Sequence, residues 1–212
     1  MRRLPIFLVL DTSGSMSGEP IQQVKNGVQM LVSALRQDPQ ALETAFLSII
    51  TFDSQAREAV PLTDLPSFQV PDISAAGVTA LGEALSLVAD CAKKHVHRAT
   101  PTQKADWRPM VFLMTDGTPT DDFQKGLAQF KEVKWGAVVG CAVNSADISV
   151  LQQIAGEAVI KLDTADSTAL SAFFKWVTAS ISTSSKSVQT SGKEVEGMEH
   201  LPPPPPEIQV VV

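Results

Sequence analysis

The stretch Leu8-Val9-Leu10-Asp11-Thr12-Ser13-Gly14-Ser15-Met16-Ser17-Gly18-Glu19-Pro20 joins an apolar run to a polar, glycine-containing loop. The apolar run over residues 6–10 is continuous, which predicts a strand buried on both faces. Pro20 lies where a first-turn helix proline belongs. Apolar residues then repeat at helical spacing, at Ile21, Val24, Val28, Leu31 and Leu35. The stretch therefore predicts a buried strand, a tight polar loop and an amphipathic helix.

The same alternation of strand and helix patterns continues along the chain. Apolar runs predict strands over residues 6–10, 45–52, 56–62, 110–115, 135–143 and 158–162. Helical periodicity predicts helices over residues 20–35, 81–92, 123–130, 148–155 and 170–181. Apolar strands separated by helices favour an α/β fold, with a central mainly parallel sheet and helices on both faces. The short connection after residue 52, and Pro61 within the next strand, predict one antiparallel edge strand.

The composition changes after residue 182. The following segment is rich in serine and threonine, and it ends in five prolines, Pro202 to Pro206, before a β-branched terminus. We therefore predict a domain over residues 1–182 and a low-complexity, proline-containing tail over residues 183–212. The prolines should form a stiff polyproline II spacer, and the terminal apolar residues should pair with an exposed sheet edge of a partner or a neighbouring copy. The alternative is a frayed end without a partner.

Composition and charge exclude several functional classes. The chain has 212 residues, with 17 Lys and Arg against 23 Asp and Glu, for a net charge of −6. This balance argues against nucleic-acid partners and against anionic membranes. No apolar run reaches the roughly 18 residues of a membrane span. The amino-terminal apolar run imitates a secretion signal but ends at Asp11 without a small-residue cleavage site, so we expect a cytoplasmic protein. Cys91 and Cys141 lie in apolar runs and are expected to be reduced core thiols.

Polar side chains cluster where predicted strands end, which is where open α/β sheets bind ligands. Asp11, Ser13 and Ser15 alternate in the first loop, so an extended backbone points all three oxygens one way. Thr79 precedes the second long helix, and Asp116 follows the strand over residues 110–115. Two carboxylates and three hydroxyls, without His or Cys, suit a hard divalent cation. We expect Mg²⁺ first, with Mn²⁺ or Ca²⁺ as alternatives.

These residues resemble a known family. Asp11-x-Ser13-x-Ser15, then Thr79, then Asp116-Gly117 match the metal-ion-dependent adhesion site (MIDAS) of von Willebrand factor A (VWA) domains. The resemblance covers roughly residues 4–182 and implies the Rossmann-like, three-layer VWA fold. It implies that Ser13, Ser15 and Thr79 offer hydroxyls to one cation, with Asp11 and Asp116 bound directly or through water. It also implies a protein partner that offers an Asp or Glu carboxylate to the metal.

A narrower resemblance concerns small bacterial cytoplasmic VWA proteins of the TerY and YegL type. Residues 8–20 and 108–121 carry it. Such proteins are linked to tellurite resistance and stress. The resemblance implies a scaffold in a stress or phospho-signalling complex, with a protein-kinase-like chain and a metal-dependent protein phosphatase as partners.

Two other functions compete with a binding module. The first is a metal-dependent phosphohydrolase, although Ser13 stands where such enzymes carry a second Asp. The second is a co-chaperone of an ATPase that remodels metalloenzymes. A Ser-His-Asp triad is disfavoured because His95, His97 and His200 lie away from predicted strand carboxyl ends. His95 and His97 are expected to stabilise a helix end through the helix dipole. We therefore expect no enzymatic activity.

Overall fold

A seven-stranded sheet forms the centre of the protein, in a computed structural model that describes residues 2–211. Its strands are β1 (Leu4–Asp11), β2 (Ala45–Phe52), β3 (Ala56–Asp64), β4 (Met110–Thr115), β5 (Val138–Val143), β6 (Val159–Leu162) and β7 (Gln209–Val211). They lie in the order β3-β2-β1-β4-β5-β6-β7. The five inner strands are parallel. The α/β fold and the antiparallel edge strand β3 are confirmed.

Six α-helices within residues 2–211 cover the two faces of the sheet. They are α1 (Glu19–Leu35), α2 (Pro39–Thr44), α3 (Leu81–His95), α4 (Phe123–Lys131), α5 (Ile148–Ala155) and α6 (Ser167–Ser191). Helix α2 was not predicted from the sequence because its six residues are too few to show a periodic pattern. Its start is nevertheless marked, since Asp38 caps it and Pro39 occupies the first turn.

Strand β1 shows why a separate hydrophobic core forms on each face of the sheet. Successive side chains of a strand point to opposite faces. Accordingly, Ile6 and Leu8 join one buried cluster, whereas Phe7 and Val9 join the other. The first cluster contains apolar residues of α1 and α6, and the second contains apolar residues of α3, α4 and α5. The three-layer arrangement predicted from the continuous apolar strands is therefore present.

The residues predicted as a tail pack against the domain. Helix α6 continues to Ser191, beyond the predicted boundary at residue 182. Trp176 donates a hydrogen bond from Nε1 to the Pro202 carbonyl, 2.8 Å away, which fixes the start of the proline segment. Ile208 is buried, and β7 pairs antiparallel with β6. The predicted pairing with a partner or a neighbouring copy is therefore wrong, because β7 instead fills the free edge of β6 in its own sheet. The assignment of residues 183–212 as a unit separate from 1–182 stays a prediction, and Met1 and Val212 lie outside the described residues.

A polar network connects the residues at the amino-terminal ends of the parallel strands, which we call the amino-terminal pole of the sheet. The Arg3 guanidinium donates hydrogen bonds to both carboxylate oxygens of buried Asp106, the shortest at 2.5 Å. The backbone N–H of His97 donates to the same carboxylate at 2.7 Å. The Arg2 guanidinium lies 3.3 Å from the centroid of the Trp107 ring. These contacts join the start of β1 to the loop before β4.

None of the helices within residues 2–211 combines the length and the apolar character that a transmembrane segment needs.

Candidate metal centre

The ends of β1 and β4 place the first two groups of the predicted site. Leu10 pairs with Met114 in the parallel register, so Asp11 and Thr115 are neighbours one residue further along. Thr115 Oγ1 donates to Asp11 Oδ2 at 2.5 Å. Both residues are only 1% exposed. The sheet register therefore fixes the Asp11 carboxylate at the carboxyl-terminal edge.

The first loop continues this chain of contacts from Asp11 to Asp116. The backbone N–H of Ser13 donates to Asp11 Oδ1 at 2.8 Å. Ser13 Oγ and Ser15 Oγ lie 3.0 Å apart, and Ser15 Oγ donates to Asp116 Oδ1 at 2.8 Å. Four of the five predicted ligand residues are thus joined in one hydrogen-bonded cluster.

Thr79 approaches the cluster from the segment before α3. Gly117 follows Asp116, and a Cβ added at Gly117 would lie 2.7 Å from Thr79 Oγ1. Thr79 can approach the cluster because Gly117 has no side chain. The segment is anchored on both sides, since Gly14 N–H donates to the Gly77 carbonyl at 3.0 Å and Thr120 N–H donates to the Thr79 carbonyl at 2.9 Å. The three predicted loops therefore meet at one edge of the sheet.

The carboxylates of Asp11 and Asp116 leave the site with unbalanced negative charge. Burial raises the pKa of Asp11 above its ordinary value, and the negative charge of Asp116 adds to the rise, while hydrogen bonds from Ser13 and Thr115 oppose it. Among residues 2–211, no Lys, Arg or His forms an ion pair with either carboxylate. A cation would remove this imbalance.

The donor chemistry fits a hard divalent cation. Every predicted ligand atom is a carboxylate or hydroxyl oxygen, as Mg²⁺, Mn²⁺ and Ca²⁺ prefer. Asp11, Ser13, Thr79 and Asp116 are buried, whereas Ser15 is exposed at the rim. The cluster is therefore held by buried residues on the side of the sheet and is open to solvent at Ser15.

Two supporting residues were missed by the sequence reasoning. Thr115 is the one polar residue that ends the apolar strand β4, which was a usable signal. Asp121 accepts hydrogen bonds from the backbone N–H groups of Gly82 and Glu83, at 2.9 and 2.7 Å, and so caps α3 beside Thr79. Asp121 lies two residues before α4, and local sequence gives no sign that it caps a different helix.

Comparison with known proteins gives one sequence relative of partial length. The uncharacterized protein sll0103 of Synechocystis sp. is 33% identical over 123 residues, which are 55% of this chain and 26% of that protein. The chain therefore spans about a quarter of the curated relative it matches.

Two solved structures illustrate the structural likeness. A von Willebrand factor type A protein from Catenulispora acidiphila gives a TM-score of 0.67 at 17% identity, over 86% of this chain and 43% of the other. Proximal thread matrix protein 1 of the mussel byssus, solved with a zinc-occupied MIDAS motif, gives 0.63 at 20% identity, over 84% of this chain and 48% of the other. This chain spans less than half of each, and at these identities the likeness shows the fold alone.

The family itself follows from the sequence match. The chain matches the family described as von Willebrand factor type A domain over residues 6–175. All five residues of the cluster, from Asp11 to Asp116, lie inside that range. The narrower resemblance to TerY and YegL proteins stays a prediction. This chain belongs to the von Willebrand factor type A domain family.

Proposed function

We propose that this chain is a metal-dependent protein-binding module whose cation is held by Asp11, Ser13, Ser15, Thr79 and Asp116. The observation that carries the proposal is the cluster of two buried carboxylates, bridged by serine hydroxyls, without a cationic side chain paired to either among the described residues. When bound there, a divalent cation supplies an electrophilic position for a carboxylate oxygen of a partner.

Each residue of the cluster has a distinct part in this proposal. Asp11 is oriented by the Ser13 N–H and the Thr115 hydroxyl, so its direction is set before any ligand arrives. Ser15 lies at the exposed rim and holds Asp116 in place. The hydroxyl ligands add no negative charge. Two carboxylates balance one divalent cation, so a third carboxylate from a partner meets a site that does not repel it.

The metal we propose is Mg²⁺, because all five ligand residues offer hard oxygen atoms. Mn²⁺ and Ca²⁺ are the alternatives. The zinc in the MIDAS motif of the mussel protein supports a divalent cation at this edge of the fold without fixing its identity here.

The partner we propose is a protein with an accessible Asp or Glu side chain. The narrower setting rests on the sequence resemblance alone: a cytoplasmic bacterial tellurite-resistance or stress complex, with a kinase-like chain and a metal-dependent phosphatase. We propose an adaptor and not an enzyme. Within residues 2–211, no His, Lys or Cys side chain hydrogen-bonds to the carboxylates or serine hydroxyls of the cluster, so the candidate general bases there are the two carboxylates, which we assign to the metal.

Metal binding is tested by Mn²⁺ titration with electron paramagnetic resonance, followed by competition with Mg²⁺. The wild-type chain should bind one Mn²⁺ at this centre. Asp11→Ala and Asp116→Ala should each weaken binding at least tenfold. Asp163→Ala is the matched control, since Asp163 also follows a strand of the same sheet but pairs with Lys161 and lies outside the cluster. Equal affinities in all four proteins would overturn the proposal.

Function is tested by partner capture from an extract of the source organism. Capture by the immobilised chain should be lost in EDTA and in Asp116→Ala, and kept in Asp163→Ala. Phosphatase, esterase and ATPase assays with Mg²⁺ or Mn²⁺ should give background rates. Turnover that disappears in Ser15→Ala would replace the adaptor with the phosphohydrolase alternative.

A further inference from the structure

A second group of potential ligands lies away from the first centre. Glu58 of β3, and Cys91 and His95 of α3, place one carboxylate oxygen, the thiol sulfur and one ring nitrogen within 4.8 Å of one another. Thr79 lies two residues before α3, whereas Cys91 and His95 lie in the last two turns of that helix. With a rise of about 1.5 Å per residue, Cys91 lies roughly 15 Å along the helix from Leu81. The two groups are therefore separate.

Secondary structure explains why these three side chains meet. Cys91 and His95 are four residues apart, so they share one face of α3. Glu58 is on β3, opposite Ile50 of β2, and its half-buried position alternates with the exposed Arg57 and Ala59. An acidic residue on the helix-facing side of an edge strand is unusual, because burying a carboxylate without a partner is unfavourable.

The contact between Glu58 and His95 is not an ordinary hydrogen bond. His95 Nε2 and Glu58 Oε1 lie 2.9 Å apart. Both atoms are shielded from solvent, yet neither has a hydrogen-bond partner of acceptable geometry within residues 2–211. The two buried atoms therefore lie at ion-pair distance but out of line for a hydrogen bond, and ligands of a common ion can adopt such an arrangement.

The mixture of donor atoms points to zinc. A thiolate, an imidazole nitrogen and a carboxylate oxygen form a typical Zn²⁺ ligand set, whereas Mg²⁺ and Ca²⁺ take oxygen ligands. Zn²⁺ bonds of about 2.0–2.3 Å in a tetrahedron place ligand atoms roughly 3.3–3.7 Å apart. The three atoms already fall within 4.8 Å of one another, and Glu58 Oε1 and His95 Nε2, which are 2.9 Å apart, would move apart slightly to reach this spacing. Small side-chain rotations therefore suffice to close the site.

We propose that Glu58, Cys91 and His95 form a Zn²⁺ site that joins the edge strand β3 to the carboxyl-terminal end of α3. The site has three protein ligands. The side chains of Glu58 and His95 are 21% and 22% exposed, so the site lies close to the surface, and a water molecule would complete the tetrahedron. This proposal is independent of the first centre.

The thiol is protonated before the metal binds. Burial and the neighbouring Glu58 carboxylate raise the pKa of Cys91 to about 12. Zinc must therefore displace the thiol proton, as it does when it coordinates cysteine in other proteins. Cys141 is buried in β5, and its position in the sheet core leaves it without metal-ligating neighbours among the described residues.

Co²⁺ titration of the full chain tests the site, because thiolate coordination gives a charge-transfer band in the near ultraviolet. The background is Asp11→Ala/Asp116→Ala, which removes the first centre. One equivalent of Co²⁺ should produce the band, and one equivalent of Zn²⁺ should abolish it. Cys91→Ser should eliminate the band, and Cys141→Ala should retain it. A band that survives in Cys91→Ser, or no band in the background protein, would overturn the proposal.

A second pair of variants covers the case in which Cys91→Ser fails to fold. His95 ends α3 and is partly exposed, so His95→Gln should fold normally, as should Glu58→Gln. Each should weaken Zn²⁺ binding at least tenfold. With Zn²⁺ at about 100 times its Kd, the melting temperature of the background protein should rise by roughly 5–10 °C, and that of His95→Gln should rise by far less. Equal rises in the two proteins would show that Glu58 and His95 form only an ion pair.

Discussion

At the scale of single residues, Asp11 combines burial with an unbalanced charge. Its pKa is raised by burial and by the charge of Asp116. A carboxyl group whose pKa is higher in the folded chain binds its proton more tightly when folded. The metal-free protein should therefore lose stability as the pH rises from about 4 through the raised pKa of Asp11.

Replacing the Asp11 carboxylate with a neutral amide should show how its charge affects the stability of the metal-free protein. In EDTA at neutral pH, Asp11→Asn should melt a few degrees above the wild type, since about 1 kcal/mol corresponds to roughly 2–4 °C for a chain of this size. Addition of Mg²⁺ should raise the melting temperature of the wild type but not of the variant. Differential scanning fluorimetry at pH 4 and pH 7 checks both points, and the gap in EDTA should shrink at pH 4. A variant less stable than the wild type at pH 7 would show that the hydrogen bonds of Asp11 outweigh its burial.

At the scale of elements, α3 and α4 cross at two glycines. A Cβ added at Gly126 would lie 2.0 Å from the Gly82 carbonyl oxygen, so the two helices touch backbone to backbone. This contact begins at the first turn of α3, beside Thr79 and under the Asp121 cap. The packing of two helices thus helps to position one ligand loop.

Gly126→Ala should separate the two helices. Overpacking should destabilise the protein by about 1–3 kcal/mol, even though alanine favours a helix by about 1 kcal/mol over glycine. The displaced start of α3 should also weaken Mn²⁺ binding. Urea denaturation and Mn²⁺ titration measure the two effects. Ala128→Gly, on the exposed side of α4, should lower helix stability while leaving Mn²⁺ affinity unchanged.

Strand β7 covers the edge of β6 that would otherwise be free. Deleting residues 207–212 removes β7 and the buried Ile208, and it exposes the β6 backbone. The truncated chain should melt at a lower temperature and self-associate, because an open edge invites strand pairing. Fluorimetry and light scattering after gel filtration measure the two changes. Gln209→Ala keeps the backbone pairing and should behave as the wild type; a truncated chain that stays monomeric with an unchanged melting temperature would contradict this role.

The elements also show what the sequence could predict. Strands β1, β4 and β5 were predictable because each is a continuous apolar run, and the meeting of Asp11 with Asp116 followed from parallel strands sharing one edge. The Asp121 cap and the pairing of β7 with β6 join residues distant in sequence. The contact of Glu58 with Cys91 was hidden for the same reason, since 33 positions and two different elements separate them.

At the scale of the whole molecule, the sheet has a pole that carries the proposed metal site and a structural pole. The cluster lies at the carboxyl ends of the parallel strands, whereas the Arg3–Asp106 network lies at their amino ends. The side chain of Asp106 is 1% exposed, so removing it would leave the Arg3 charge partly buried without its partner. The two poles should therefore be separable by mutation.

Asp106→Ala should destabilise the protein by about 3–5 kcal/mol, as expected when one partner of a buried ion pair is removed. Its Mn²⁺ affinity, measured below the unfolding temperature, should stay within twofold of the wild type. Glu132→Ala breaks the exposed pair with Lys93 and should change stability by less than about 1 kcal/mol. A loss of Mn²⁺ affinity in folded Asp106→Ala would show that the two poles are coupled.

The antiparallel course of β7 also determines how the molecule can be attached to other things. Val211 pairs with Val159 at the beginning of β6, and Leu4 begins β1, so the first and last strands both enter or leave at the pole opposite the carboxylate cluster. A fusion partner, an affinity tag or a sensor surface joined at either end therefore lies on the side of the molecule opposite the carboxylate cluster. The carboxylate cluster then faces outward, and immobilisation through either terminus leaves it accessible to a protein in solution.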